Sequence, residues 1–299
     1  MATDTIRLFL NPTAGRGRAG RRQKRIVELL EQKGIDLEVH SSASAGDIES
    51  QVLQQVDAGV TRVIVAGGDG SIHEATNGIL RSKNNAALGV IPTGTGNDFA
   101  KACQIPLNWE HATQLLADRI VADETPRKID AGRFNDRYFS NGAGLGFDAK
   151  VTRVAQSIHL PIGDLVYLLA IFRTMIDGIA SPRLRITADD YAWEGPVTLA
   201  AISNGQWVGG MFHIAPIASN SDNVLELLIA KPVTRRRILT LLPKIMNGEH
   251  MQEPEIVHQS VTKLHIEAEQ PIPSHLDGEV QPLQTEFEIE VLPGALALL

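Results

Sequence analysis

A single cysteine, Cys103, in 299 residues excludes an internal disulfide and any metal site built on paired cysteines. A reducing compartment fits that usage. Positive charge is not in excess either. The formal net charge is −7, so bulk attraction to nucleic acid or an anionic membrane is excluded, and anion binding must come from local sites. The opening segment MATDTIRLFLNP lacks the long apolar core of a signal peptide and reads as a short strand, so a cytoplasmic protein is expected. No run is apolar enough to span a bilayer. The longest charge-free stretch, Gly195 to Ser221, is interrupted by Gly, Pro, Asn and Ser. Leu165 to Phe172 is apolar but short, closed by Asp164 and Arg173, and a buried helix is expected there. The pattern G-x-x-x-x-G-K is absent, which removes the P-loop reading. Internal repeats and low-complexity tracts are absent too.

What is present is a globular balance, 43% hydrophobic and 21% charged, in a chain long enough for two domains. Over the first hundred residues short apolar strands alternate with helices. Strands are expected at Ile6–Leu10, Ile35–His40, Arg62–Ala66 and Ala87–Ile91. Helices are expected at about Arg21–Lys33, Asp47–Val56 and Ser71–Leu80, the first preceded by a Gly/Arg loop. This rhythm implies a parallel sheet with helices on both faces. Beyond about Pro126 strand-like runs dominate, at 137–140, 184–187, 197–202, 225–229, 261–268 and 287–291. Helical stretches interrupt them only near 161–177 and 234–247. A separate, mainly antiparallel β domain is expected, with RKIDAGR as the join.

Gly67-Gly68-Asp69-Gly70-Ser71 stands where a buried strand ends and a helix begins, the place where open α/β sheets bind ligands. Glycines allow close backbone approach to a phosphate, and the helix N-terminus offers unpaired N–H groups. An Asp in a phosphate loop would repel its ligand unless it serves a metal or a sugar hydroxyl. Asp69 is therefore a functional candidate, against the plainer reading of an N-capping Asp. Ile91-Pro92-Thr93-Gly94-Thr95-Gly96-Asn97-Asp98-Phe99 follows the next strand with similar chemistry, and two such loops could line one crevice. A third loop, Asn11–Gly15, runs into Gly15-Arg16-Gly17-Arg18-Ala19-Gly20, a literal G-x-G-x-x-G. A dinucleotide site also wants an acid closing the second strand. Here that strand runs out into His40-Ser41-Ser42, with Glu38 inside it.

Arg16, Arg18, Arg21, Arg22, Lys24 and Arg25 crowd the start of the first long helix, against its dipole. They suit either a phosphate or lipid headgroup, or a solvated basic face. Arg235-Arg236-Arg237 is a second cluster, read as surface charge. Ser274-His275-Leu276-Asp277-Gly278-Glu279 carries a tight Asp-Gly turn followed by a carboxylate that suits a general base; pattern alone favours a hairpin turn. The histidines show no metal-ligand spacing and read as surface or loop residues.

Taken in order, GGDGSIHEATNGI, IPTGTGNDFA and LDGE resemble the diacylglycerol kinase catalytic-domain family. The nearest likeness is to its soluble bacterial lipid kinases, which are related to sphingosine and ceramide kinases and to NAD kinase. The likeness also takes in NPTAG, RKIDAGR, NGAGLGFDA and NGQWVGGMFHIAPIAS, and so runs along nearly the whole chain. It implies an NAD kinase-like α/β domain over 1–128, to which 288–299 return, and a β-sandwich over 129–287. It implies ATP as phosphoryl donor, contacted by Asn11, Pro12, Thr13, Ala14, Gly15, Ser42, Gly67, Gly68, Asp69, Gly70, Ser71, Ile72, His73, Glu74 and Thr95. Glu279 matches the general base, and Asp69 and Asp130 the acidic partners of the transferred phosphate. Ser219, Asp222 and the Val224 carbonyl match a structural Mg²⁺ site, with Asp98 linking it to the reaction centre.

Three positions depart from the family pattern: Ser71 for Thr, His73 for Asn, and Asn223 for the Gly after Asp222. The hydroxyl survives in the first, and Asn tolerates left-handed backbone in the third. The implied activity is kinase transfer to a lipid hydroxyl, diacylglycerol or a related glycerolipid, met from the aqueous side of the membrane by a peripheral enzyme. Nucleic acid is not an expected partner, and a homodimer stays open. The other readings are an NAD kinase-type enzyme and a catalytically silent nucleotide- or lipid-binding protein.

Overall fold

The computed structural model describes residues 6–158, 160, 162, 163 and 165–299. The chain divides into two compact units, residues 1–130 with 294–299, and residues 131–293.

In the first unit the order is β1 (Ile6–Leu10), α1 (Ala14–Glu31), β2 (Leu37–Ser41), α2 (Asp47–Asp57), β3 (Arg62–Gly67), α3 (Asp69–Arg81), β4 (Ala87–Pro92), α4 (Asp98–Ala102) and α5 (Trp109–Val121). β5 (Arg127–Phe134) then carries the chain into the second unit. The strands are all parallel, in the order β2-β1-β3-β4, and Ala297 and Leu298 add a further parallel pairing beside β4. β1, β3 and β4 are buried on both faces, as a sheet covered by helices on each side requires, whereas the edge strand β2 is part-exposed. Leu8, Leu10, Ile64 and Ala66 pack with Ile26 and Leu30 of α1 and Leu116 and Ile120 of α5. The alternate residues Phe9, Val63 and Val65 are equally buried, and α2 and α3 pack together over β1 and β3.

α4 and α5 were not among the expected helices, and two expected helices start elsewhere. The first helix begins at Ala14 instead of Arg21, so the G-x-G-x-x-G run lies within its opening turns, where Gly15 and Gly17 hold positive φ. A hydrogen bond from Gly17 N–H to Thr13 O at 2.9 Å closes the first helical turn, and Gly20 N–H reaches back to Pro12 O at 3.2 Å to hold the entering loop against it. The third helix begins at Asp69, two residues before Ser71.

The second unit continues with β6 (Arg137–Phe139), β7 (Gly142–Gly146), α6 (Phe147–Gln156), α7 (Leu165–Asp177), β8 (Arg183–Ala188), β9 (Tyr191–Pro196), β10 (Leu199–Ser203), β11 (Leu225–Ala230), α8 (Arg235–Asn247), β12 (Ile256–Val261), β13 (Lys263–Leu276) and β14 (Glu279–Leu298). Its strands pair antiparallel in the order β12-β11-β10-β7-β13-β14, with β8 and β9 added beside β13. β13 changes partner along its length, from β8 over 264–268 to β7 over 274–276, with its register shifts in between. Pro271 and Pro273 stand at that irregularity, where a strand tolerates a missing N–H. The sandwich core includes Leu145, Ile186, Ile202, Leu227, Ile266 and Phe287.

The stretch expected as one strand at 261–268 is two, broken at Thr262. α6 was not expected, since helical stretches of the second domain were expected only near 161–177 and 234–247. The apolar segment 165–172 is helical, but the expectation that it is buried is wrong in part. Ala170, Ile171, Thr174 and Met175 face the interior, while Leu165, Leu169, Phe172 and Ile176 are 52, 39, 41 and 77% exposed. Asp164, read as the residue closing that segment, lies outside the described residues.

Candidate active site

Within the first unit, three loops meet at the carboxyl ends of β1, β3 and β4. The first is tied by Asn11, whose Oδ1 accepts from the Thr13 N–H at 3.0 Å and from its hydroxyl at 2.7 Å. Pro12 and Ala14 complete the turn into α1. Gly15 sits against the third loop so closely that a Cβ there would stand 2.2 Å from the Thr93 carbonyl oxygen. The second and third loops cross at Gly68 and Gly94, where a Cβ on Gly94 would stand 2.4 Å from Gly68 Cα. Any side chain on Gly94 would force these two loops apart.

Asp69 locks the crossing from the far side, its Oδ1 accepting from Phe99 N–H of α4 at 3.1 Å. Gly70 and Ser71 form the first turn of α3, with Ser71 packed beside Gly67. Ser42 donates its N–H to Leu10 O at 2.9 Å, and Thr95 is exposed on the third loop. The structure thus gathers 11–15, Ser42, 67–71 and Thr95 on one sheet edge.

Three of the expected contact residues point elsewhere. Ile72 is fully buried in the core. His73 is buried too, not a surface residue, with its ring 3.4 Å from Asn77 Nδ2. Glu74 accepts from Gly46 N–H at 2.9 Å and from Ile48 N–H at 3.0 Å, so its carboxylate caps α2. In exchange, Thr93 Oγ1 and Asn97 Oδ1 are buried at the loop crossing without a protein partner. Leaving such an atom unpaired costs about 1–3 kcal/mol, which fits a loop whose polar atoms serve a ligand. Neither residue was singled out from sequence, although both lie inside IPTGTGN.

Asp130 is buried in β5, where its Oδ1 accepts from Gly294 N–H at 2.7 Å. Asp98 opens α4, buried and paired with Lys101 at 3.1 Å. Ser219, Asp222 and Val224 share one loop of the second unit. Asp222 Oδ1 accepts from Val224 N–H at 3.3 Å, and Asn223 adopts φ 66°. Hydroxyl, carboxylate and carbonyl are hard oxygen donors of the kind Mg²⁺ takes, so the donor set fits. Among the described residues, no group of three or more His, Cys, Asp or Glu is placed to hold a metal.

The basic cluster on α1 is largely occupied. Arg18 Nε donates to Gly15 O at 2.9 Å, Lys24 and Arg25 pair with Glu28, and Arg22 lies 5.0 Å over the Trp109 ring. Burial, with Arg18 and Arg21 beside it, lowers the Arg22 pKa. The Arg16 side chain lies outside the described residues. In the second cluster Arg237 is no simple surface charge. It bridges Glu253 and Glu255, hydrogen bonds that raise its pKa and lower theirs.

The Asp277-Gly278 turn is a two-residue hairpin pairing Leu276 with Glu279. φ is positive at both central residues, 49° and 87°, as a type I′ turn requires. The Asp277 carboxylate accepts from the N–H groups of Ser140, Asn141 and Gly142 at 2.9, 2.8 and 2.9 Å. Glu279 is exposed at the start of β14. Beneath the turn His275, read from sequence as a surface or loop residue, is buried and bound to Asp148 of α6 at 2.9 Å. Burial opposes charge on this ring, but Asp148, with Asp277 and Glu279 nearby, outweighs it and raises the pKa. Asp148 also lines an apolar cavity of about 110 Å³, walled by Phe147, Tyr167, Ile171, Phe212 and Leu242 among others. Tyr167, which also lines it, has its hydroxyl 3.7 Å from where a Cβ on Gly278 would lie. Sequence pattern could have flagged Asp277 through its turn, but nothing local pairs His275 with Asp148.

Comparison with known proteins agrees with this layout. Residues 5–134 match the family model described as diacylglycerol kinase catalytic domain, and 142–299 match the YegS C-terminal NAD kinase beta sandwich-like domain. A diacylglycerol kinase of Bacillus subtilis (strain 168) is 30% identical, over 91% of this chain and 89% of its own length. A protein named probable lipid kinase YegS-like, from Pseudomonas aeruginosa, is 31% identical, over 99% and 94%. The crystal structure of a diacylglycerol kinase from Bacillus anthracis str. Sterne superposes with a TM-score of 0.74 over 100% of this chain and 97% of that one. At 23% identity that is a likeness of fold.

Proposed function

This chain belongs to the diacylglycerol kinase family of bacterial lipid kinases, and from that premise we propose that it transfers the γ-phosphoryl group of ATP to the hydroxyl of diacylglycerol or a related glycerolipid, with Glu279 as general base. The observation that carries the lipid half is the apolar cavity, whose lining residues Asp148 and Tyr167 also stand beside the Asp277–Glu279 turn, so that it offers acyl chains an apolar lining next to the general base. A dinucleotide acceptor has no use for such a lining.

Phosphoryl transfer depends on positioning and charge neutralisation more than on covalent chemistry. The N–H groups at the start of α3 and the unpaired polar atoms of Thr93 and Asn97 hold the nucleotide. Asp69 and Asp130 stand as the acidic partners of the transferred phosphate, and Glu279 takes the proton of the attacking hydroxyl. Mg²⁺, when bound, neutralises phosphate charge, and Ser219, Asp222 and Val224 are the residues that would hold a structural ion. The deciding experiment offers labelled ATP with diacylglycerol, phosphatidylglycerol and ceramide in detergent micelles, and separately with NAD, and identifies products by mass. Product from NAD alone overturns the lipid reading. ATP binding with no phosphorylated product from any acceptor makes the protein a silent binder. Gly94→Ala, which drives a Cβ into Gly68, is expected to weaken ATP binding at least tenfold by calorimetry.

The partner we assign is a lipid surface met from the water side. Leu165, Leu169, Phe172 and Ile176 recur at i, i+4, i+7 and i+11, one exposed stripe on the very helix that lends Tyr167 and Ile171 to the cavity. Its flank carries arginines, beside the single acid Asp177. Arg173 is exposed on α7, and Arg235, whose Nη2 donates to Ile176 O at 3.2 Å, stands with exposed Arg236 at the end of the stripe. An anionic bilayer complements these charges. Phe172→Asp with Leu169→Asp is expected to lower flotation with phosphatidylglycerol-containing vesicles at least tenfold while the chain stays monomeric by light scattering. Unchanged flotation, or a wild-type dimer that the substitutions dissociate, counts against the assignment.

A further inference from the structure

The hairpin that carries Glu279 is held on both sides of Gly278. Its N–H donates to His275 Nδ1 at 3.3 Å, and its carbonyl accepts from Gln156 Nε2 at 3.0 Å. The peptide leading into Glu279 is therefore fixed by one ring nitrogen below and one amide from α6. The ring is fixed in turn by Asp148, 2.9 Å from Nε2. Space for this pair is made by Gly144, the cross-strand neighbour of His275. A Cβ there would stand 2.2 Å from Asp148 Oδ2 and 2.4 Å from His275 Nε2.

The two contacts select one form of the ring. Nε2 carries the hydrogen given to Asp148, and Nδ1 keeps the lone pair that accepts from Gly278. Adding a second proton puts an N–H at Nδ1 against the Gly278 N–H, two donors face to face, and the bond is lost. We propose that His275 is a positioning residue, holding the Glu279 hairpin in its working geometry only while Nδ1 is unprotonated. This rests on the reading of Glu279 as the general base.

The charged groups facing the ring are Asp148 from α6 and Asp277 and Glu279 from the turn, with the Tyr167 hydroxyl of α7 close to Gly278. Burial disfavours the imidazolium, but the three carboxylates outweigh it, so the release point lies above the ordinary imidazole value of 6.5. Activity is then lost as pH falls through that raised value. Removing the Asp148 charge moves the loss to lower pH.

The test uses the full chain. Heteronuclear NMR of the His275 ring at high pH is expected to show the Nε2–H tautomer, and the Gly278 amide shift should titrate with the ring. In kcat–pH profiles, Asp148→Asn should move the acid limb down by about one unit or more with KM for ATP within about twofold. His275→Gln should lower kcat roughly a hundredfold and abolish that limb, the cost of a misplaced reacting group. A Gly278 amide that ignores the ring titration, or an acid limb unmoved in Asp148→Asn, overturns the proposal even if His275→Gln fails to fold. Failure of the Glu279 assignment is read separately, from Glu279→Gln turnover, and leaves the amide titration intact as a measure of the dyad.

Discussion

Replacing Glu279 by Gln is expected to lower kcat by a factor on the order of 10² to 10⁴ while ATP binds with unchanged affinity. The substitution keeps the size and the hydrogen-bonding reach of the side chain and removes its charge and its capacity to take a proton. The carboxylate stands exposed at the start of β14, next to a hairpin anchored by Asp277, His275 and Gln156. The hairpin therefore keeps its shape in the variant, and the loss is one of chemistry. Single-turnover transfer to diacylglycerol in micelles, set beside calorimetric titration with ATP, measures both halves. Near-normal turnover would remove Glu279 from the reaction.

Asp277→Ala should do its damage through folding. One carboxylate satisfies three successive N–H groups, of Ser140, Asn141 and Gly142, and also lies 3.3 Å from the Ser140 hydroxyl. Ser140 and Asn141 are buried, so water cannot readily replace the lost acceptor. Hydrogen bonds to a charged group contribute about 1.5–3 kcal/mol each, and orphaned buried donors cost about 1–3 kcal/mol. Because such terms are not additive, the expected loss in unfolding free energy is about 3–4 kcal/mol, near the upper end for one substitution. Urea unfolding reads it directly. Asp277→Asn retains one acceptor oxygen and should fall between the two. If Asp277→Ala unfolds at the wild-type midpoint, these three hydrogen bonds do not hold the turn.

Much of this was legible beforehand. Buried strands such as Arg62–Gly67 and helices such as Asp47–Asp57 announce themselves by period, and glycine loops at strand ends mark the ligand edge. The misses share a physical origin. α1 begins seven residues early because glycines with positive φ still close backbone hydrogen bonds, which composition does not reveal. α7 was expected to be buried because apolarity alone does not say which face meets protein. Glu74 looked like a ligand residue by position in its motif, yet the distant N-terminus of α2 claims both its oxygens. His275 and Asp148 lie 127 positions apart, and only the pairing of β13 with β7 brings them together over Gly144. Contacts of that separation belong to topology and leave no local trace.

The shared course of β14 has a consequence for how the chain is made. Leu296, Leu298 and Leu299 are buried with the first unit, while 131–293 form the second. On a ribosome the amino-terminal sheet therefore waits, incomplete along one edge of β4, until residues 294–299 emerge. The inserted unit has its whole sequence in hand first. The earliest-synthesised unit is therefore expected to be the last to close.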